Sequence, residues 1–251
     1  MGDVDLILLT HIHSDHVGWN TTFVDRCWGP TFPNAEVVAS DPEYAYGLTL
    51  TDEDAAGINA ARDRAGLGEP VRVPVSGTFA DCILPLVGKS PVRRVRVDGA
   101  EVFPGIRFLP TPGHSIDHAT IELVNGGEKA LFSGDVLNHP VQVYYPDLVS
   151  TFCEFPDTFR RSLGWFLDHA ASTNSMVFSS DSPKSLMGQI SRIADGYAWS
   201  FGAPIRSLPA LAGPLDMPAD EGYYRLVVDG GCGLSPYVSG VPLPIEKPRK
   251  P

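Results

Sequence analysis

Cysteine is scarce in this chain: four thiols, at positions 27, 82, 153 and 232, stand apart with no C-x-x-C pair, which excludes a zinc ribbon and a thioredoxin-like motif. They read as reduced, mostly structural thiols of a cytoplasmic protein. Long apolar runs are missing as well. Leu6-Ile7-Leu8-Leu9 is far too short to cross a bilayer and no basic segment precedes it, so neither a membrane span nor a signal peptide is expected. Basic residues are outnumbered, 19 Lys and Arg against 30 Asp and Glu for a formal charge of −11, and Arg93, Arg94 and Arg96 form the one dense basic cluster. That balance argues against a nucleic acid or an anionic membrane as the main partner. There is no G-x-S-x-G elbow, which disfavours a serine hydrolase. Gly88-Lys89-Ser90 resembles the end of a phosphate loop, but Ile83 occupies the place of its first Gly and no G-x-G-x-x-G follows a strand. Asn20-Thr21-Thr22 forms a sequon, taken as chance without a secretion signal. No internal repeat stands out.

What is present describes an ordinary globular chain. With 251 residues, 43% hydrophobic and 20% charged, one large α/β domain or two small ones can be built, and disorder of the whole is excluded. Val4 to Leu9 is a near-continuous apolar run of the kind a strand covered on both faces shows. Residues 35–40 predict another strand, and 52–65 a helix with Thr51 as its N-cap. Val92 to Val97 and Val102 to Leu109 suggest a strand pair joined near Asp98-Gly99; Ala119 to Val124 and Ala130 to Ser133 suggest a hairpin across Asn125-Gly126-Gly127. After Pro156, the spacing of Phe159, Leu163, Phe166, Leu167 and Ala170 predicts one face of a helix, and Met176 to Phe178 a buried strand. From residue 202 onward the texture changes, with nine Pro and seven Gly in 50 residues. That stretch, 202–251, reads as an irregular extension whose one candidate strand is Tyr223 to Val228.

The strongest chemical signal is Thr10-His11-Ile12-His13-Ser14-Asp15-His16. Side chains alternate along extended backbone, so His11 and His13 point to one side and can meet one metal ion. Asp15 and His16, on the turn that follows, can face a second. Three imidazoles and a carboxylate within six residues are expensive to bury without a cation that uses their lone pairs; a solvated His-rich turn is the bland alternative. His114, in Thr111-Pro112-Gly113-His114, and Asp135, in Ser133-Gly134-Asp135, each follow a predicted strand beside a Gly. Alone, either is an ordinary turn residue; beside the first motif, both become candidate ligands.

These motifs resemble the metallo-β-lactamase fold of binuclear metallohydrolases. Asp15-His16-Val17-Gly18-Trp19-Asn20, Pro30 to Ala35 and Gly134 to Val143 are similar to the group containing acyl-homoserine lactonases and methyl parathion hydrolase. The resemblance covers about residues 4–201 and is specific for fold more than for substrate. It implies an αββα sandwich in which His11, His13 and His114 hold one divalent metal, Asp15 and His16 hold another, and Asp135 bridges the pair. The remaining ligand of such proteins is a His in a His-x-Pro setting, where this chain has Asp181-Ser182-Pro183. A carboxylate there can bind zinc, manganese or iron, or stand as a plain turn Asp. His118 and His139 read as residues of the pocket around the ligands, His169 as a structural imidazole at a helix end. Tyr144 and Tyr145 could offer a phenol to substrate, as a Tyr does in the lactonase relatives; wall packing is the competing account.

The expected function is hydrolysis of a small ester or lactone, acyl-homoserine-lactone-like, by attack of a metal-bridging hydroxide. Asp15 and Asp135 are the catalytic carboxylates and two divalent ions, zinc foremost, the cofactors. A phosphotriesterase, arylesterase or β-lactam hydrolase on the same site is one alternative, and a degenerate, metal-poor binding scaffold another. The expected partner is a small-molecule substrate, with no nucleic acid and no membrane, and a homodimer is allowed. Nine residues precede Thr10, where the family places several strands first. Residues 1–201 are therefore expected to be a hydrolase domain lacking its first N-terminal strands, with an open edge on the first sheet.

Overall fold

The computed structural model describes residues 2–75, 77–180 and 187–202. The elements run in the order β1 (Leu6–Leu8), α1 (Ser14–Val17), β2 (Thr21–Val24), β3 (Cys27–Pro30), β4 (Glu36–Ser40), α2 (Asp41–Thr51), α3 (Ala55–Ala65), α4 (Thr78–Cys82), β5 (Val92–Val95), β6 (Glu101–Phe103), β7 (Ile106–Pro110), β8 (Ala119–Asn125), β9 (Glu128–Phe132), α5 (Val141–Tyr144), α6 (Pro156–Thr173), β10 (Met176–Phe178), β11 (Met187–Ile193) and β12 (Gly196–Phe201). Two sheets result. The first has three parallel strands in the order β1-β4-β5; the second has seven, β12-β11-β10-β9-β8-β7-β6, antiparallel except where β9 and β10 pair. β2 and β3 form a separate hairpin. Among the described residues β1 is an edge of the first sheet.

Side-chain alternation explains why two such sheets stack. On β1 and the residue after it, Ile7 and Leu9 join Val37, Phe79, Ile83 and Leu86 in a core on the outer face of the first sheet. Leu8 points the other way, with Val38, Phe108, Ala119 and Ile121, into the layer between the sheets. The outer face of the second sheet is covered by α6, whose Phe159, Leu163, Phe166 and Leu167 pack on Leu131, Val177 and Ile190. Helices, two sheets and a helix are thus layered as an αββα sandwich.

The two hairpin segments and the two helical segments read from the sequence fare differently. The Asn125-Gly126-Gly127 hairpin is present, with both glycines at positive φ, the geometry a two-residue hairpin turn needs. The other strand pair is not. Val92–Val95 lies parallel to β4 in the first sheet, and the second sheet begins at β6, which pairs with β7 across Pro104-Gly105. The chain between residues 96 and 100 therefore crosses from one sheet to the other, and Pro104-Gly105 was the true turn signal. The helix read over 52–65 starts at Ala55, and Thr51 is the last residue of α2, its hydroxyl donating to the Gly47 carbonyl. Sequence reading missed α2 although its start is well marked: the Ser40 hydroxyl caps the Glu43 N–H, with Pro42 in the first turn. The extension from 203 onward, including Tyr223 to Val228, and Asp181 lie outside the described residues. No helix among those described is long and apolar enough to cross a membrane.

Candidate metal centre

The ligand residues arrive from both sheets. Past β1 the chain bends at Thr10 and is extended again at His13, and the rings of His11 and His13 come together with centroids 4.5 Å apart. The short turn α1 then swings His16 back towards them, 4.1 Å from His11 between centroids. From the second sheet, the loop after β7 brings His114 and the turn after β9 brings Asp135. The Ala119 N–H donates to the Thr10 carbonyl over 2.9 Å and so ties the end of β1 to the start of β8.

Two glycines make the close approach feasible. A Cβ on Gly134, at φ +50°, would lie 2.6 Å from His118 Nε2 and 2.7 Å from the Thr10 hydroxyl. A Cβ on Gly113, at φ +123°, would lie 2.2 Å from the Phe159 nitrogen at the start of α6. Either side chain would drive the ligand loop off its support.

Two donor groups emerge. His11, His13 and His114 form one; His11, His16 and Asp135 form the other, the donor atoms of each lying within 4.8 Å of one another. Asp135 joins them, with Oδ2 3.2 Å from His114 Nε2 and Oδ1 3.0 Å from His16 Nε2. Asp15 is placed differently: its carboxylate is 70% exposed at the rim, 3.4 Å from His16 Nε2.

The electrostatics suit a cation. Burial, reinforced by the neighbouring imidazoles, holds His11 well below the ordinary histidine pKa; burial does the same to His114, against the opposing pull of Asp135. Both rings are thus neutral, with lone pairs available. For Asp135, burial alone would raise the pKa, but His16, His114 and His118 together hold it well below the usual carboxylate range. His11 Nε2 is buried without a hydrogen-bond partner among the described residues, and His13 Nδ1 faces His114 Nε2 at 2.9 Å. Buried imidazole nitrogens aimed at one another, one of them without a partner, fit a divalent ion.

The remaining sequence candidates separate cleanly. His118 is fully buried beside the ligands; its Nδ1 meets Thr111, and its Nε2 accepts the Asp135 backbone N–H at 2.9 Å. His139 is exposed and accepts the Val141 N–H. His169 stacks on Trp165 and faces Glu122. The Tyr144 hydroxyl is engaged by the main chain of Trp199, and Tyr145 is exposed. Cys82 and Cys153 are buried free thiols, pushed up by burial to about 11 and about 12. Glu43 and Glu154, both buried beside His13 and its loop, were not singled out by sequence reading. The S-x-x-E pattern at Ser40 marks the first; no local pattern marks the second.

Comparison with known proteins settles the family. The profile of the Metallo-beta-lactamase superfamily matches residues 2–179.

The chain belongs to the metallo-beta-lactamase superfamily.

Two solved structures share the fold: a hydrolase of the beta lactamase superfamily, AbOPH, with a TM-score of 0.62 and 22% identity, and AidC, a dizinc quorum-quenching lactonase solved with its product, with a TM-score of 0.63 and 21% identity. Each match covers 80% of this chain and 65% of the other. A Staphylococcus aureus protein described as a probable metal-dependent hydrolase matches with a TM-score of 0.54 and 18% identity, over 80% of this chain and 64% of its own. No curated protein matches.

Proposed function

We propose that this member of the superfamily hydrolyses a small ester or lactone, an acyl-homoserine-lactone-like ring being the first candidate. The observation that carries the reading is one carboxylate, Asp135, reaching with separate oxygens towards both donor groups. In this reading His11, His13 and His114 hold one divalent ion, and Asp15 and His16 hold a second that shares Asp135. Zinc is the leading choice, with manganese or iron as alternatives. Bound there, the ions lower the pKa of water and polarise the carbonyl oxygen.

The protein's own groups divide the remaining work. Asp135 stays ionised and oriented, because His118 fixes its backbone and Ser180 donates to its Oδ1 at 3.0 Å. The buried imidazoles keep bulk water from the centre. Asp15, at the solvent edge, is placed to accept a proton and return it to the leaving oxygen. On its sequence position alone Asp181 is taken as a further candidate ligand; replacing it with His and measuring bound metal and rate tests this, a fall in both showing a working ligand and a large rise a weakened one. Residues 1–201 form the catalytic unit, 202–251 an extension, and a cytoplasmic setting and a homodimer are compatible with the reading.

The test is metal analysis of purified protein combined with a panel of lactones of several chain lengths, aryl esters, phosphotriesters and β-lactams. Two ions per chain with lactone opening is the expected result. Two-metal protein that opens no lactone of any length sinks the lactone reading, and turnover of another panel member replaces it.

A further inference from the structure

The three imidazoles of the first donor group are not equally supported. His11 is fully buried and its Nδ1 lies 3.0 Å from the Thr10 hydroxyl. His114 is fully buried on a loop pressed against α6. His13 is the partly exposed member, on a segment with no strand partner. Its Nδ1 is turned towards His114, so Nε2 is left to be held from outside. That nitrogen meets Glu154 Oε1 at 3.0 Å, and Glu154 is 1% exposed.

Glu154 also grips the other side of the group through its main chain. Its N–H donates to the His114 carbonyl at 3.0 Å; the Phe155 N–H and the Cys153 thiol both donate to the Gly113 carbonyl, at 2.8 and 3.2 Å. Residues 153–155 thus form a strap joining the loop of His13 to the loop of His114, although these lie in different sheets' connections. Behind the strap, Tyr46 of α2 packs with Phe155, and the Arg62 guanidinium of α3 donates to the Tyr46 oxygen at 3.2 Å. Glu43 ties the same two loops together, accepting the Ile12 N–H from one and the Ser115 hydroxyl from the other.

We infer that Glu154 is a positioning residue of the metal centre: its carboxylate keeps the Nε2–H tautomer of His13, so that Nδ1 presents its lone pair to an ion shared with His11 and His114. A carboxylate on the far nitrogen of a ligating imidazole fixes tautomer and ring orientation and makes the ring a better donor. Because the hydrogen bond reaches one group only, its removal acts on one ion and spares the other. The inference rests on the metal-binding part of the proposed function and not on its substrate.

The experiment titrates metal-free protein with zinc against a chromophoric chelator, for the unaltered chain, Glu154→Ala and Glu154→Gln, with urea unfolding of each metal-free protein alongside. The unaltered chain is expected to take up two equivalents. In Glu154→Ala one equivalent weakens by about 10–100-fold while the other is retained. Glu154→Gln, which keeps an acceptor oxygen and the main-chain strap, falls between the two, with metal-free stability unchanged. Isotherms that superimpose overturn the inference, as does equal weakening of both equivalents that simply tracks a loss of metal-free stability. Where the alanine variant does not fold, the glutamine variant decides, and affinity equal to that of the unaltered chain overturns it. An unaltered chain that binds no zinc instead overturns the metal-binding reading itself.

Discussion

The two halves of the centre are built in opposite ways. The half attached to the first sheet is a single seven-residue stretch, Thr10 to His16, in which a bend at Thr10 and the short turn α1 deliver every side chain. The half attached to the second sheet is assembled from separate loops, each needing a glycine, a main-chain bond or a buried partner to stay in place: His114 with Gly113 and the Glu154 strap, Asp135 with Gly134 and His118. Local sequence gathers the ligands of the first half, which Glu154 and Ala119 then brace from outside, whereas the second half is brought together only by packing between distant elements. Perturbing one half or the other should therefore give different kinds of failure.

The largest effect is expected at the residue that reaches both donor groups. Asp135→Ala should lose both metal equivalents and lower any hydrolytic rate by more than about 100-fold, since loss of even an outer partner costs about 10–100-fold. Elemental analysis and the rate on the best panel substrate check this. Next comes the assembled half. Gly134→Ala places a methyl against His118 and Thr10 and should displace Asp135, weakening metal binding at least tenfold on the scale of outer-partner losses while circular dichroism still reports a folded chain. If Gly134→Ala binds metal normally, the second half is less dependent on packing than its geometry indicates.

The contrast also explains what could be read beforehand. Thr10 to His16 was legible because the ligands are neighbours in sequence. His114 and Asp135 became legible only beside that motif, and Glu154 was invisible: Cys153-Glu154-Phe155 has no pattern of its own and acts because α6 and the His114 loop bring it to His13. The same logic governs the fold. The Gly126-Gly127 turn and the α6 stripe are local and were found, while Val92–Val95 was assigned to the wrong partner because strand pairing depends on the whole sheet. α2, though local, was overlooked despite its Ser40-Asp41-Pro42-Glu43 start.

A third prediction concerns the seam between the halves. Asp117 is largely buried and accepts the Ser40 hydroxyl at 2.5 Å; burial, with Glu43 and Asp41 adding, pushes its carboxyl up to about 7 against that hydroxyl's opposing effect. The folded chain keeps a proton there that an unfolded one releases near pH 4, so this group's contribution to stability is complete below about pH 4 and is lost as pH rises through about 7. Asp117→Asn should then raise the urea midpoint relative to the unaltered chain at pH 8 and have a smaller effect at pH 5; a constant difference between the two would contradict the assignment. The smallest effect is expected at Ser40 itself, whose loss in Ser40→Ala removes one helix cap at a cost of about 1 kcal/mol, read from urea unfolding near neutral pH.

The bond from Ala119 to Thr10 joins residues more than a hundred positions apart and sits directly behind His11. Contacts this distant in sequence form only after the intervening chain has been ordered. The centre therefore cannot pre-exist in a partly folded chain, and its occupant and the native state are thermodynamically linked. An ion present at 100 times its dissociation constant adds about 2.7 kcal/mol to the stability of the fold, so cellular metal supply would set how much of this protein survives as well as how fast it works.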